Sequence, residues 1–213
     1  MKIIFTEKDQ KEIAMAIAEA ESKTSAEIAW KIIDRSSSYN DAPWIWTFIW
    51  LTGVACLQVF LQFNNGWGGS GSVLIVDLAL CLVLGFGVGR MPAFRRLVIS
   101  KKRRERRVLE RAVASFWRGK VHMTKKRNGL LIYISVLERR VTLVLDEGLA
   151  NLVRDGKLTN LSSLVKFDNI DWFSKDTVRM KLVESIMTLG DQLSTVFPHE
   201  EGDENEVDNT RIL

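Results

Sequence analysis

The side chains that could act as metal ligands, nucleophiles or general bases are few and widely separated in this 213-residue chain. His122 and His199 are its only histidines, so a zinc site or a histidine-based triad would need ligands from distant segments. Cys56 and Cys81 both fall inside apolar stretches, which excludes a disulfide framework and a paired-cysteine metal site. We therefore expect solvated histidines and packed or lipid-facing thiols.

Asp146 and Glu147 are the best candidates for a metal or phosphate-handling site. They end the β-branched run that begins at Val141, and α/β proteins commonly place ligands at the ends of strands. Two acids supply few of the six to eight oxygens that Ca²⁺ takes. A turn or a helix cap is the competing interpretation, because aspartate serves readily in both.

Two apolar stretches predict a transmembrane hairpin. The stretch 43–63 carries no charge, and a helix of that length spans about 31 Å, enough to cross a bilayer core. The stretch 73–89 carries only Asp77, and a nine-residue Asn/Gly/Ser loop separates the two. Residues 66–71 of this loop match GxGxxG, but they follow an apolar helix and not a strand, so we do not expect a dinucleotide site.

Three residues of the second apolar stretch have alternative interpretations. Gly85 and Gly89 form a GxxxG step that allows close helix packing, either within the hairpin or between protomers. An intramembrane acid is a functional candidate by default. Asp77, however, lies near the start of its helix, where solvent and the helix dipole favour a structural role.

A cluster of bases sets the expected orientation. Residues 90–127 hold 15 Lys and Arg against Glu105 and Glu110. Nine of these bases, at positions 90, 95, 96, 101–104, 106 and 107, follow the second apolar stretch closely, whereas the predicted loop holds none, so both termini should be cytoplasmic. The bases expected at lipid headgroups are Arg95, Arg96, Lys101, Lys102, Arg103, Arg104, Arg106 and Arg107. The positive-inside rule accounts for this run without a nucleic-acid partner.

Periodic patterns outside the hairpin predict a small α/β domain. Thr6 and Asp9 are typical of a capped helix over 6–22, with Ile13, Ile17 and Ala20 on its apolar face. Alternation over 25–33 predicts a strand with Ile28, Trp30 and Ile32 on one side. The basic segment should continue as a helix lying against the sheet, with an apolar face formed by Leu109, Val113, Phe116 and Trp117.

The remaining patterns complete this domain. The runs 130–136 and 141–146 predict an antiparallel strand pair. A closing helix is predicted over 177–196, with an apolar seam of Val178, Leu182, Ile186, Leu189 and Leu193. Neither half could bury its apolar face alone, so the strands before and after the hairpin should share one sheet.

Three segments carry a resemblance to TPM-domain proteins: ESKTSAEIAWKI (Glu21–Ile32), NGLLIYISVLERRVTLVLDEGLA (Asn128–Ala150) and ESIMTLGDQLSTVFP (Glu184–Pro198). The resemblance implies an α/β/α sandwich around a small sheet, as in the bacterial membrane-bound branch, where a hairpin follows the first strand. Relatives serve photosystem II repair, modulate a ligand-gated receptor, act as acid phosphatases or bind a divalent cation. This chain has Asp146-Glu147-Gly148-Leu149 in place of the family's Gly-Tyr-Gly-Leu-Glu-type turn.

The resulting layout has four parts: residues 1–42 and 91–197 form the α/β domain, 43–90 the transmembrane hairpin, and 198–213 an acidic disordered tail. Our leading hypothesis is a multi-pass protein of the bacterial inner membrane, without cofactor, that acts as a non-enzymatic accessory factor for another membrane protein. The first alternative is a metal-dependent phosphatase that needs a divalent cation at Asp146 and Glu147. The second is a module that binds anionic lipid. The sequence does not fix the oligomeric state.

Overall fold

The computed structural model describes residues 5–65, 71–158, 160–165, 167, 170–172 and 174–199. These divide into two compact units, one formed by Met1–Ser36 with Glu105–Leu213 and the other by Ser37–Arg104. We call the first the sheet unit and the second the hairpin unit. Residues 66–70 of the predicted loop and 200–213 of the predicted acidic tail lie outside the described residues.

The described residues form seven α-helices, three strands and one short 3-10 turn. The strands are β1 (Ile28–Ile33), β2 (Leu130–Ser135) and β3 (Arg140–Leu145). The helices are α1 (Glu7–Glu21), α2 (Ala42–Asn65), α3 (Gly71–Arg90), α4 (Pro92–Val98), α5 (Lys101–Arg118), α6 (Glu147–Arg154) and α7 (Lys175–Ser194), and the 3-10 turn is Leu161–Ser163.

The sheet has the order β1-β2-β3. β1 runs parallel to β2, with Ile28 opposite Leu130, and β2 runs antiparallel to β3, with Leu130 opposite Leu145. The predicted antiparallel pair is therefore confirmed. The prediction that strands from before and after residues 43–90 share one sheet is also confirmed, and the sheet unit is a small α/β fold.

One face of the sheet is covered by α1 and α7, which pack against each other. Ile28 and Trp30 of β1 join this core. The predicted apolar faces of both helices are confirmed by burial: Ile13, Ile17 and Ala20 of α1, and Val178, Leu182, Ile186, Leu189 and Leu193 of α7. Gly190 of α7 lies directly against Ala20, where a larger side chain would collide. A glycine thus allows the two helices to approach closely.

The start of α1 is fixed by its own cap. Thr6 and Asp9 form a capping box in which each side chain accepts from the other residue's backbone N–H. Asp9 is buried and also pairs with Lys175 Nζ at 2.8 Å, while Arg179 of α7 lies 3.5 Å away. The hydrogen bond from Lys175 holds the pKa of Asp9 well below its usual range. This acid therefore links the start of α1 to α7.

The other face of the sheet is covered by α5, as predicted, but the apolar face predicted for α5 is largely wrong. Val108, Ala112 and Phe116 are buried with Ala29, Leu131 and Tyr133. Leu109, Val113 and Trp117 are exposed instead, Trp117 at 55%. Successive residues of a helix point in directions about 100° apart around the helix axis. The buried row of α5 lies one position before these predicted residues, so they face outward. Large residues weigh more than alanine in a sequence pattern, although alanine allows closer packing.

The segment between β3 and α7 contributes core that the sequence patterns did not predict. α6 buries Leu149, and the irregular chain after it buries Leu158, Leu161, Phe167 and Trp172 in the core shared by α1 and α7. Its apolar residues lack a regular period, so a sequence pattern does not reveal them. Pro198 forms an isolated bridge with Thr24, so the fold extends past the predicted start of the tail.

The hairpin unit consists of α2, α3 and α4. Contacts between Thr47 and Gly85 and between Gln58 and Asp77 establish that α2 and α3 run antiparallel. Both helices are present close to the predicted bounds of 43–63 and 73–89. Among the described residues, Ala42–Asn64 is long and apolar enough to cross a membrane, and Ile75–Arg90 with Pro92–Val98 also qualifies if the two form one span bent by 95°. Membrane crossing itself stays a prediction.

Candidate functional site

The outer surface of the hairpin unit is apolar and uncovered. Only 6% of the apolar window of α2 is buried, in contrast to a core helix of a water-soluble protein. Phe48 of α2 and Val83 of α3 are each 70% exposed. Large exposed apolar patches mark contacts with a membrane or another protein. This surface is the most extensive candidate for function in the described chain.

The inner contact of the hairpin is made by small residues. A Cβ atom at Gly85 would overlap the backbone of Thr47, and one at Gly89 would overlap Pro43 of α2. Gly87, between them, has open space around it. Gly85 and Gly89 therefore lie at the α2–α3 contact inside one chain, where they permit close backbone approach.

Asp77 contacts α2 through a side-chain hydrogen bond. Gln58 Nε2 donates to the Asp77 carboxylate. α3 begins at Gly71, so Asp77 lies in its second turn, near the helix start as predicted. The contact with Gln58 adds an interhelical polar partner that the sequence did not predict.

The end of the hairpin where α2 starts and α3 finishes carries aromatic and basic residues. Trp46 Nε1 donates to the Phe94 carbonyl at 3.0 Å, and the two rings meet edge to face. The Arg90 guanidinium lies 4.0 Å from the ring centre of Phe86. Arg95 Nε donates to the Gly89 carbonyl at 3.2 Å. Tryptophan and arginine at one end of an apolar helix pair are typical of a membrane–water interface.

The predicted headgroup-contact bases differ in their surroundings. Lys101 and Lys102 are exposed at the start of α5, and Arg95, Arg96 and Arg104 are partly buried. Arg103 pairs with Asp41, which raises its pKa. Arg106 and Arg107 pair with Glu110 at 2.8 and 3.0 Å, and the hydrogen bond from Arg106 lowers the pKa of Glu110. Carboxylates thus offset part of the charge that was assigned to lipid contact.

Asp146 forms the N-cap of α6, as the competing interpretation expected. Its Oδ1 accepts from the Glu147 N–H at 2.7 Å. Its Oδ2 is buried and has no hydrogen-bond partner among the described residues, whereas the Glu147 side chain is exposed. A cation at this turn would have Asp146 Oδ2 as its available buried oxygen. Within the described ranges, no three His, Cys, Asp or Glu residues form a group that could hold a metal.

The histidines and cysteines occupy unrelated places. The His122 ring packs against Trp117 at a tilt of 49°, with ring centres 4.1 Å apart, and the His199 backbone N–H donates to the Lys23 carbonyl. Cys56 is exposed on α2, and Cys81 is buried on α3; both are free thiols.

A basic cleft in the sheet unit was missed by the sequence patterns. It has a volume of about 320 Å³ and lies between β1 and α5. Its helix side is formed by Arg111, Ser115 and Arg118, whose i, i+4, i+7 spacing was the available signal. That signal does not stand out, because these bases belong to a long basic segment whose charge the positive-inside rule largely explains.

No family model and no curated protein matches the chain. Among solved structures, the chain is similar to the NMR structure of the BA42 protein from the psychrophilic bacterium Bizionia argentinensis. The similarity has a TM-score of 0.55 at 20% identity, and it covers 97% of this chain and 93% of BA42. At this level of identity the similarity establishes the fold alone.

Proposed function

We propose that the chain is an integral membrane protein in which α2 and α3 cross the bilayer and both termini face the cytoplasm, in a bacterial inner membrane. The observation that carries the proposal is the uncovered apolar surface of the hairpin, including Phe48 and Val83. In water such a surface is unfavourable, whereas acyl chains would cover it without cost to the helix backbone hydrogen bonds. Trp46 and Arg95 at the end of the hairpin fit the interface on the basic side.

We further propose that the sheet unit is a TPM-like domain that serves another membrane protein as a non-enzymatic accessory or assembly factor. The TPM assignment rests on the resemblance of Glu21–Ile32, Asn128–Ala150 and Glu184–Pro198. A folded α/β unit on a hairpin tether is confined to the membrane surface. Confinement raises its effective concentration near membrane proteins, which favours a weak and regulatory contact.

Membrane topology is tested with single cysteine reporters. In a Cys56→Ala, Cys81→Ala background, Ser70→Cys should react with an impermeant maleimide added to the periplasmic side, and Ser22→Cys should react only after the cells are lysed. Resistance of the full chain to alkaline carbonate extraction is the companion measurement. Release into the soluble fraction, or labelling of both reporters from outside, would contradict the proposed topology.

The accessory role is tested by crosslinking in native membranes, purification in mild detergent and mass spectrometry of what remains attached. A membrane protein in fixed ratio to the full chain, and absent when only Ser37–Arg104 is expressed, is the expected result. Recovery of the full chain alone would contradict the role and leave the membrane topology unaffected.

The buried Oδ2 of Asp146 favours one alternative, a metal-dependent phosphatase. In that case Asp146→Asn and Glu147→Gln should abolish divalent-ion binding and phosphoester turnover, and Asp155→Asn, just beyond α6, should leave both intact. Asparagine also caps helices well, so the first variant keeps the fold. Unchanged binding and turnover in both variants would remove Asp146 and Glu147 from consideration.

The exposed bases at the start of α5 favour the second alternative, an anionic-lipid-binding module. Each base near a negatively charged surface contributes about 1 kcal/mol. Changing the six bases of residues 101–107 to glutamine should then abolish flotation with anionic vesicles and keep the circular dichroism spectrum. Retained flotation would exclude a headgroup role for this segment.

A further inference from the structure

The basic cleft lies entirely within the sheet unit, on the face of the sheet that α5 covers. Its volume of about 320 Å³ matches the lower range of small-molecule sites. The polar residues that line it are Lys31, Arg35, Arg111, Ser115, Arg118 and Tyr133.

Strand and helix periodicity bring these residues together. Lys31, Ile33 and Arg35 alternate along β1 and its end, and Lys31 lies opposite Tyr133 in the parallel register. On α5, residues 111, 115 and 118 form a row beside the buried Val108–Ala112–Phe116 seam. Because the buried residues of α5 pack on the sheet, residues 111, 115 and 118 beside them face the end of β1.

The cleft concentrates positive charge. Four of its lining residues are bases, and no acid lines it within the described part of the chain. Arg35 and Arg118 form no ion pair with any described residue, unlike Arg103, Arg106 and Arg107 elsewhere in the basic segment. Glu138, in the turn after β2, is 1% exposed, and its carboxylate accepts from Ser36 N–H and the Ser135 hydroxyl.

Like charges lie close together in this cleft, and Lys31 is in addition partly buried. Burial, together with the nearby Arg118, lowers the pKa of Lys31. Arg111 Nε–H donates to the Ser36 carbonyl at 3.3 Å, so the terminal amino groups of Arg111 can donate to another acceptor. Burial also raises the pKa of Tyr133, so its phenol stays protonated near neutral pH. A bound anion would relieve the repulsion and accept from several donors.

We propose that this cleft binds a phosphate-bearing anion, held by Lys31, Arg35, Arg111 and Arg118 with Ser115 as an additional donor. Several converging guanidinium groups suit a tetrahedral, doubly charged oxyanion better than a single carboxylate. A soluble phosphorylated compound and the headgroup of an anionic lipid share this chemistry. The site is separate from Asp146 and Glu147 and does not depend on the proposed accessory role.

The test uses the full chain in a neutral detergent without divalent cations, so that metal-dependent hydrolysis cannot interfere. One arm titrates inorganic pyrophosphate by calorimetry, and the other detects retained phosphatidate against phosphatidylcholine by native mass spectrometry. The test variant is Arg35→Gln with Arg118→Gln, both exposed positions. The matched control is Lys8→Gln with Lys11→Gln, exposed on α1 and equal in charge change.

Binding in the pyrophosphate arm assigns a soluble phosphate compound, and selective retention of phosphatidate assigns a lipid headgroup. In whichever arm binds, the test variant should weaken binding at least about tenfold, because it loses two charge-assisted contacts, and the control less than about twofold. Ser115→Glu, which places a carboxylate in the cleft, should abolish the same binding. The proposal is overturned by no binding in either arm, or by equal losses in test and control variants.

Discussion

Isoleucine, leucine, valine and phenylalanine are abundant in both units, yet the two units expose them very differently. In the sheet unit, Ile132, Leu182 and Ile186 are completely buried between the sheet and its helices. In the hairpin unit, Phe48 and Val83 are largely exposed, whereas Thr47 is buried where α2 meets Gly85 of α3. The sheet unit therefore supplies its own core, whereas the outer apolar surface of α2 and α3 is left uncovered by the described residues. Four substitutions test this contrast.

The largest effect is expected inside the sheet unit, where α5 packs on the sheet. Phe116→Ala should lower the free energy of unfolding by about 4 kcal/mol, because the change leaves a cavity between α5 and β2. Trp117→Ala, its exposed neighbour, should cost less than about 1 kcal/mol. Chemical denaturation of the full chain in detergent measures both. Equal losses of unfolding free energy in the two variants would mean that α5 buries Trp117 as well as Phe116.

The next largest effect distinguishes lipid from water around the hairpin. Val83→Arg should disfavour membrane insertion of α3 by about 3 kcal/mol if the exposed face meets acyl chains. Val83→Ala is the control and should insert nearly as well as the original chain. The inserted fraction, measured by carbonate extraction, reports the difference. Unimpaired insertion of the arginine variant would indicate that this face does not meet lipid.

A smaller effect is expected at the internal contact of the hairpin. Gly85→Leu should destabilise the α2–α3 pair by about 2 kcal/mol, because its side chain would collide with the Thr47 backbone. Gly87→Leu, with open space around it, is the matched control. Thermal unfolding in detergent, followed by circular dichroism, gives the two stabilities. A similar loss in both variants would locate the packing contact elsewhere.

The smallest effect concerns a buried charge in the sheet unit. Burial raises the pKa of Glu21 to about 7 from 4.5, and its carboxyl accepts from the Ile28 N–H at 3.1 Å. The folded state thus holds this proton more tightly than the unfolded state. The corresponding stability is complete below pH 4.5 and is lost as pH rises through 7.

Glu21→Gln keeps the acceptor and removes the charge, so it should match the original chain at pH 4 and exceed its stability by about 1–2 kcal/mol at pH 8. Glu19→Gln, exposed on the same helix, should show no such pH-dependent difference. Denaturation of the three proteins across this pH range is the measurement. A constant difference between Glu21→Gln and the original chain would exclude titration of Glu21 as its cause.

Much of the fold was predictable because its signals are local. The Thr6–Asp9 cap, the apolar faces of α1 and α7 and the alternation of β1 each depend on residues within one helix or one strand. The bounds of α2 and α3 follow in the same way from apolar composition that only Asp77 interrupts. The sequence places Asp146 at the end of a strand but leaves open whether it ligates a metal or caps a helix. The structure shows that it caps α6.

The remaining features depended on contacts between distant segments. Residues 108, 112 and 116 of α5 are buried because they pack on the sheet. The neighbouring row of residues 109, 113 and 117 has larger apolar side chains but is exposed. The irregular chain that buries Leu158 and Trp172 has no period for a sequence pattern to detect. The basic cleft joins Arg35 to Arg118 across the whole hairpin sequence, so only the pairing of β1 with β2 and the docking of α5 could assemble it.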